Sequence, residues 1–270
     1  MMGRPGRIGG LERVLAHMNQ RGGAWLARRD AIARHWRHVF LPDAPLRTGL
    51  AWCRSAPMAS PPTFDAPFRA RMLDLFRWRR DVRSFRTDPV PEALLAELLE
   101  VANLAPSVGL SQPWRFVIVE DPVRRAAVRA NFLACNAASL ECFEGDRAAR
   151  YARLKLAGLD EAPCHLAVFS ETDPEQGHGL GRRTMPETTA YSAVMAVHTL
   201  WLAARAHGLG LGWVSILDPA VVQAALEVPA GWRFIGYFCL GVPQVETDVP
   251  ELERLGWDVR RPAEQRLLRR

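Results

Sequence analysis

The segment with the clearest capacity for chemistry is Arg79-Arg80-Asp81-Val82-Arg83, where three arginines and one carboxylate fall within five residues. Guanidinium groups pair with phosphate oxygens through two parallel hydrogen bonds, so three of them at one turn predict a clamp for a phosphomonoester. Asp81 then becomes a candidate acid or base. A structural role is the alternative, because the helix dipole favours cations near a C-terminus by up to about 1 kcal/mol.

A second segment, residues 105–114, carries polar groups without any charge. It reads Ala-Pro-Ser-Val-Gly-Leu-Ser-Gln-Pro-Trp and contains turn-forming residues, hydroxyls, an amide and an aromatic ring. We call it the neutral loop, and we call residues 79–83 the arginine segment. A charged segment and a neutral one together predict the binding of a cofactor.

The flanking sequence predicts the elements that hold these two segments. Before the arginine segment, apolar residues recur at helical spacing at Phe68, Met72, Leu75 and Phe76. A second helix has Pro91 in its first turn and ends before the neutral loop, with an apolar stripe at Leu94, Leu95, Leu98, Leu99 and Ala102. The arginine segment is therefore expected at the C-terminal end of one helix, and the neutral loop directly after the next.

The rest of the chain alternates between strand and helix patterns. Strands are predicted over residues 114–120, 166–169, 211–217 and 234–240, and Asp121-Pro122 and Asp218-Pro219 are typical of helix starts. Residues 191–207 are apolar almost all round, which predicts a helix buried on most faces, in the core or at an interface. Frequent Gly and Pro in residues 171–187 predict a mobile loop that can act as a lid.

The charge is divided unevenly along the 270 residues. Residues 1–60 hold ten arginines and three acidic residues, whereas residues 61–270 carry a net charge of −1 within a total of +6. We therefore expect a basic, disordered N-terminal extension over 1–60, with a mitochondrial presequence as the weaker alternative, and one domain over 61–270. Because the basic excess belongs to the extension, it indicates no nucleic-acid partner.

Cysteine usage and hydropathy indicate a cytoplasmic protein. The five cysteines are odd in number and lack CxxC spacing, which favours buried free thiols in a reducing compartment. The longest apolar stretch, residues 191–206, contains His198 and Arg205 and is shorter than the roughly 20 residues that a bilayer requires, so no membrane partner is expected. No metal site is expected either, because HExxH and paired Cys/His spacings are absent.

Two other features have structural interpretations. The run Gly208-Leu209-Gly210-Leu211-Gly212 follows a helix and precedes a strand, which is the wrong order for a phosphate-binding loop at a helix N-terminus, so it predicts a turn. His198 is expected to be a hydrogen-bonded histidine in the core or at an interface. The Ser215 hydroxyl lies in an apolar strand pattern and needs either a backbone partner or a ligand.

The arginine segment, the neutral loop and Gly212-Trp213-Val214-Ser215, in this order, resemble the flavin-binding frame of the nitroreductase superfamily. Within it, residues 154–158, 201–206 and 250–252 make the chain most similar to the dimethylbenzimidazole synthase family, over about residues 65–262. Ordinary nitroreductases typically have a small hydroxyl residue at the position of Asp81. The resemblance implies an α+β, three-layer α/β/α fold with a mixed, mainly antiparallel sheet, and a homodimer.

The resemblance also implies an activity and a set of site residues. Members of this family use reduced FMN as a substrate and O2 as co-substrate, and they fragment the flavin into dimethylbenzimidazole and erythrose 4-phosphate. Asp81 and Ser215 would be catalytic, and the flavin would be bound by Arg79, Arg80, Asp81, Val82, Arg83, Ser107, Gly109, Gln112, Leu156, Ser215 and Arg260. A separate flavin reductase would supply reduced FMN, with NAD(P)H involved only indirectly.

Two alternatives stay open at this point. The first is an NAD(P)H-dependent nitroreductase, flavin reductase or cob(II)yrinate reductase that keeps its FMN intact. The second is a flavin-binding protein without turnover, in which Asp81 merely pairs with Arg83.

Overall fold

A computed structural model describes residues 61–270, so the extension expected over residues 1–60 lies outside the described residues. The described part contains α1 (Ala66–Trp78), α2 (Glu92–Ala102), β1 (Trp114–Ile118), α3 (Pro122–Glu141), α4 (Gly145–Ala152), β2 (Cys164–Glu171), α5 (Thr188–Ala206), β3 (Gly210–Val214), α6 (Pro219–Leu226), β4 (Trp232–Gly241) and α7 (Glu251–Arg254). Short 3₁₀ turns occur at Val108–Leu110 and Ala263–Arg266.

The four strands form one sheet in the order β1-β2-β4-β3, and each neighbouring pair is antiparallel. Within residues 61–270, an isolated parallel bridge joins Asp81 to Leu211 at the outer edge of β3. This combination confirms the expected mixed, mainly antiparallel sheet. It also brings the arginine segment alongside an edge strand.

Helices cover both faces of the sheet. Side chains of a strand alternate between its two faces, so neighbouring residues of one strand contact different helices. In β2, Leu166 and Val168 belong to a core shared with α2 and α5, whereas Ala167 and Phe169 belong to a core shared with α3 and α6. The expected three-layer α/β/α arrangement is therefore confirmed. All four of these β2 residues are fully buried.

The helix starts follow the local capping chemistry. Asp121 accepts a hydrogen bond from the Val123 N–H at 2.8 Å, and Asp218 accepts one from the Ala220 N–H at 2.8 Å, as expected at both positions. Pro91, however, is the N-cap residue itself, and α2 begins one residue later at Glu92.

Helix α5 differs from the expectation of burial on most faces. One side packs into the core, but Tyr191, Val194, Met195 and His198 are exposed. These residues follow one another at helical spacing and form a single stripe, which we call the α5 stripe. The expectation of a core position for His198 is therefore wrong, and an interface position stays a prediction.

The cysteines differ in their burial. Cys164 and Cys239 are buried free thiols as expected, whereas Cys142 is exposed and Cys53 lies outside the described residues. Within residues 61–270, none of the helices is both long and apolar enough to cross a bilayer.

A buried polar pair links the two central strands. His165 Nδ1 lies 2.9 Å from the Tyr237 hydroxyl, and His165 Nε2 lies 3.2 Å from the Ala162 carbonyl oxygen. Since a carbonyl can only accept, Nε2 carries the proton and Nδ1 accepts from the tyrosine. Burial lowers the pKa of His165 to about 4, so the ring is neutral in the folded protein.

This pair predicts that acid destabilises the fold. The unfolded chain binds a proton at His165 near its ordinary pKa of about 6.5, whereas the folded chain does not until about 4, so stability falls as pH falls through this window. We expect this residue to cost about 2 kcal/mol of unfolding free energy between pH 7.5 and pH 5, measured by urea unfolding. His165→Asn should reduce this pH dependence, and the control His178→Gln, at an exposed position, should retain it. An unchanged pH slope in His165→Asn would contradict the assignment.

Candidate functional site

The arginine segment is held between the end of α1, the edge of β3 and the side of α5. The Arg79 N–H bonds the Leu75 carbonyl at 2.9 Å, and the Val82 N–H bonds the Leu211 carbonyl at 3.1 Å. Gly212 allows this close approach, because a Cβ there would overlap the Val82 carbonyl oxygen. The backbone of the arginine segment is therefore fixed at both ends.

Asp81 has a defined partner on each carboxylate oxygen. Its Oδ1 accepts from the Trp213 N–H at 2.8 Å, and its Oδ2 accepts from Arg83 Nε at 3.0 Å. Arg83 also donates through Nη1 to the Lys155 carbonyl at 3.0 Å. The Asp81 side chain nevertheless keeps 31% of its surface exposed, against 12% for Arg83. Because a carboxylate offers about four acceptor sites, Asp81 can pair with Arg83 and still accept from a ligand.

The three arginines do not form one clamp as predicted, because each has a different neighbour. Arg83 pairs with Asp81, whereas the Arg79 guanidinium lies 4.9 Å from the centre of the Trp201 ring. Arg80 donates through Nε to the Asp248 carbonyl at 2.9 Å and through a second nitrogen to the Arg77 carbonyl.

Arg260 adds positive charge near Arg79 and Arg80. Burial lowers the pKa of Arg79, the positive charge of Arg260 lowers it further, and Asp81 opposes the shift. Burial likewise lowers the pKa of Arg80, with Arg260 and Arg79 acting in the same direction. The mutual repulsion of Arg79, Arg80 and Arg260 would be relieved by a bound anion, so this group suits a phosphate.

A cavity of about 450 Å³ opens beside the arginine segment. Its volume lies in the range of small-molecule sites, about 300 to 1,000 Å³. The walls combine apolar and charged groups, including Asp81, Val82, Arg83, Trp201, Arg205 and Glu246. The cavity therefore places Asp81 and Arg83 where they can contact a ligand of cofactor size.

The neutral loop has an unusual backbone held by specific hydrogen bonds. Gly109, Leu110 and Gln112 have positive φ angles of 58°, 56° and 42°. The Ser107 hydroxyl accepts from the Gln112 N–H at 3.1 Å, and the Ser192 hydroxyl on α5 accepts from the Val108 N–H at 3.0 Å. Non-glycine residues in this region of φ are strained and are enriched at functional sites.

The predicted lid segment contacts the neutral loop directly. Gln176 Nε2 donates to the Leu110 carbonyl at 2.7 Å and to Gln112 Oε1 at 3.1 Å. Within residues 172–187, three glycines have positive φ. The segment is therefore positioned to influence the shape of the neutral loop, and its predicted motion stays a prediction.

Helix α5 separates the neutral loop from the arginine segment. Ser192 bonds the neutral loop, and Trp201 donates from its indole N–H to the Arg80 carbonyl at 3.1 Å. Nine residues of α-helix correspond to about 14 Å along the axis and to opposite sides of the helix. Ser107, Gly109 and Gln112 accordingly do not line the cavity formed beside the arginine segment within residues 61–270.

The remaining predicted site residues have mixed positions. Leu156 is partly buried against the core on the α3 and α6 side, next to Lys155, whose carbonyl accepts from Arg83. Ser215 is exposed directly after β3, which ends at Val214 and not at residue 217 as predicted. Its hydroxyl is therefore open to solvent, and the predicted burial of this group is wrong.

The sequence analysis does not predict two interactions at the site. The Trp213 N–H that holds Asp81 is a backbone group, for which no side-chain signal exists. Arg205 on α5 forms a two-point ion pair with Glu246 on the cavity wall, at 2.7 and 3.3 Å. The two residues are 41 positions apart, so only the folded chain reveals the pair.

Comparison with known proteins agrees with the resemblance. The Nitroreductase family profile matches residues 76–242. The 5,6-dimethylbenzimidazole synthase of Rhodospirillum rubrum is 59% identical over 205 residues, which cover 76% of this chain and 97% of the relative. The enzyme of the same name from Rhodobacter capsulatus is 50% identical over 201 residues, which cover 74% of this chain and 97% of the relative.

The fold has counterparts among solved structures. Oxidised iodotyrosine deiodinase, solved with bound FMN and 3-iodo-L-tyrosine, matches with a TM-score of 0.56 and 29% identity. The match covers 65% of this chain and 91% of the deiodinase chain. The chain belongs to the nitroreductase family and, within that family, to the 5,6-dimethylbenzimidazole synthases.

Proposed function

We propose that this protein is a 5,6-dimethylbenzimidazole synthase, which makes the lower ligand of cobalamin. The observation that carries the proposal is 59% identity over nearly the whole length of the Rhodospirillum rubrum synthase. Asp81, the acid that distinguishes the synthases from ordinary nitroreductases in the resemblance, lies on the wall of a cavity of cofactor size and supports the assignment.

The chemical character of the site fits FMN. Arg79, Arg80 and Arg260 supply a group of cations that a phosphate would neutralise, and Arg83 lies deeper beside Asp81. The related iodotyrosine deiodinase was solved with FMN. When bound in reduced form, the flavin would supply the electrons that reduce dioxygen, and its dimethyl-substituted ring with the two attached nitrogens, together with one ribityl carbon, would become the product.

Asp81 is the proposed proton acceptor for cleavage of the ribityl chain. The Trp213 N–H and Arg83 fix the orientation of its carboxylate, and the exposed part of the side chain faces the cavity. A positioned base of this kind contributes about 10²- to 10⁴-fold to a rate. Ser215, exposed at the end of β3, is proposed to hydrogen-bond the edge of the flavin ring.

The neutral loop is proposed to reach the flavin from a second copy of the chain. The α5 stripe is exposed between the side of α5 that holds the neutral loop and the side that holds the arginine segment. Pairing of two stripes about a two-fold axis would bring the neutral loop of one copy toward the arginine segment of the other. Exposed apolar residues on α1 add to this surface: Phe68, Met72 and Phe76.

This homodimer predicts a large effect from one charge on the α5 stripe. Met195→Glu should convert the dimer to a monomer in light-scattering measurements and weaken FMN binding at least about 10-fold, because an unpaired buried charge opposes association. Val221→Glu is the matched control, since Val221 on α6 is 45% exposed and Met195 is 44% exposed. A Met195→Glu protein that remains dimeric would contradict the proposed interface.

Proposed cellular context follows from the chemistry of the reaction. A separate flavin reductase is proposed to supply reduced FMN, so that NAD(P)H acts only indirectly. The buried free thiols Cys164 and Cys239 fit a reducing compartment such as the cytoplasm. The segment over residues 171–187 is proposed to exclude water from the loaded site.

Product analysis tests the function directly. Pure protein is mixed with chemically reduced FMN and air, and dimethylbenzimidazole is measured by mass spectrometry. Its formation is the expected result. Intact flavin with steady NADH consumption would instead favour a nitroreductase, flavin reductase or cob(II)yrinate reductase, and tight FMN binding without either reaction would favour a flavin-binding protein.

A further inference from the structure

Trp201 on α5 makes three different contacts with the residues around the arginine segment. Its indole N–H donates to the Arg80 carbonyl at 3.1 Å, and its ring centre lies 4.9 Å from the Arg79 guanidinium carbon. Its ring also packs against Trp213, with the two centres 6.5 Å apart. Only 8% of Trp201 is exposed, so these contacts lie in a largely dry environment.

The contact with Arg80 fixes the backbone from which the site residues project. Arg80 lies between Arg79 and Asp81, and Arg79 has an extended backbone. Side chains of neighbouring residues in an extended segment point to opposite sides. Arg79 and Asp81, two residues apart, therefore project to the same side, Arg79 toward the Trp201 ring and Asp81 toward the Trp213 N–H, whereas Arg80 projects to the other side.

The contact with Arg79 holds a cation without neutralising it. A second stacked arginine shows the difference, because Arg205 lies 5.9 Å from the Trp78 ring centre but is also paired with the Glu246 carboxylate. Trp201 offers Arg79 only an uncharged ring face. A guanidinium stacked in this way keeps its N–H donors at the edge of its plane, where they can bind phosphate oxygens.

We propose that Trp201 is a positioning residue that sets Arg79 for the phosphate of the flavin nucleotide and aligns Asp81 through the backbone of Arg80. The proposal rests on the proposed function only in taking FMN as the ligand. Trp201 is part of the cavity wall, but the proposal assigns it no contact with the flavin ring, because Arg79 covers a face of its ring and the Arg80 carbonyl takes its N–H. Replacement of Trp201 should therefore weaken the binding of the phosphate group and leave the binding of the flavin ring system nearly unchanged.

The test compares the affinities for FMN and for riboflavin, which lacks the phosphate, by titration of flavin fluorescence. In Trp201→Leu, which removes the ring face and the N–H, FMN affinity should fall at least about 10-fold and riboflavin affinity less than about 2-fold. Trp201→Phe keeps a ring face for Arg79 and should lose no more than about 3-fold for FMN. Partial rescue by phenylalanine separates positioning of Arg79 from simple loss of packing.

Trp257→Leu is the matched control, because the Trp257 ring also carries a guanidinium, that of Arg147, at 5.2 Å. It should change neither affinity. Equal losses for both flavins in Trp201→Leu, or unchanged FMN affinity in that variant, would overturn the proposal. If Trp201→Leu fails to fold, Trp201→Phe decides the matter, because an FMN loss above about 3-fold or an equal loss for riboflavin would overturn it. The ratio of FMN affinity to riboflavin affinity is measured without turnover. If this ratio changes in the Trp201 variants but the protein forms no dimethylbenzimidazole, the role of Trp201 stands and only the synthase assignment is rejected.

Discussion

Asp81→Asn is expected to lower the rate of dimethylbenzimidazole formation at least about 100-fold while FMN affinity stays within about 3-fold of the unchanged protein. The amide has nearly the size of the carboxylate, and its oxygen can still accept from the Trp213 N–H. It cannot take a proton from the ribityl chain. Removing a negative charge beside arginines does not weaken anion binding, so affinity should be retained.

The control for this variant is another aspartate paired with an arginine. Asp88 accepts from Arg86 Nε at 2.7 Å, much as Asp81 accepts from Arg83, but both Asp88 and Arg86 are solvent-exposed. Asp88→Asn should leave product formation within about 2-fold, because an exposed pair of this kind contributes little. Asp81→Asn with an unchanged rate would show that the acid is structural and would remove it from the mechanism.

Mixing two inactive variants is expected to restore about one quarter of the wild-type activity, if each site takes its two halves from different copies. One variant is Asp81→Asn, and the other is Gly109→Val in the neutral loop. A side chain at residue 109 is strained at φ 58° and would lie 3.0 Å from the Leu180 carbonyl oxygen. Random pairing makes half of the dimers mixed, and each mixed dimer has one site with two intact halves.

Each variant alone should be nearly inactive, which makes the recovery easy to detect. Gly231→Val is the control for the glycine change, because nothing lies within 4 Å of a Cβ at that position. Mixed dimers are counted by native mass spectrometry with differently tagged chains. Mixed dimers without recovered activity would show that one copy supplies both halves of a site.

Local chemistry explains why much of the fold is predictable from the sequence. Asp121 and Asp218 cap the helices that follow them, because their side chains need only a backbone N–H two residues away. The burial of β2 is similarly predictable, because a strand covered by helices on both faces is a continuous apolar run, as over residues 166–169. The helix starts and the positions of the strands along the chain depend on such short-range patterns, whereas the three-layer arrangement is implied by the family resemblance.

Long-range contacts explain the errors. The strand predicted to reach residue 217 ends at Val214, because the chain turns toward α3, where the Asn131 side chain bonds both the N–H and the carbonyl of Asp218. These residues are 87 positions apart. The arginines of residues 79–83 have separate neighbours for the same reason. Arg79 contacts the Trp201 ring and Arg83 contacts the Lys155 carbonyl, and both partners are distant in sequence.

The exposed face of α5 is the most informative difference from the sequence interpretation. An apolar helix predicts burial, and the hydrophobic pattern alone does not distinguish a core from an interface. The α5 stripe can be recognised only in the folded chain, where the other sides of the helix are buried against the core.

The bridge between Asp81 and Leu211 has a consequence for solubility. Strand β3 is the last strand of the sheet, and an open edge is a template for pairing with other chains and hence for aggregation. Asp81 and Val82 occupy the Trp213 N–H and the Leu211 carbonyl at that edge. The segment proposed to bind and cleave the flavin thus also covers the open edge of β3, so a substitution in it can change both the flavin chemistry and the tendency of the sheet to pair with other chains.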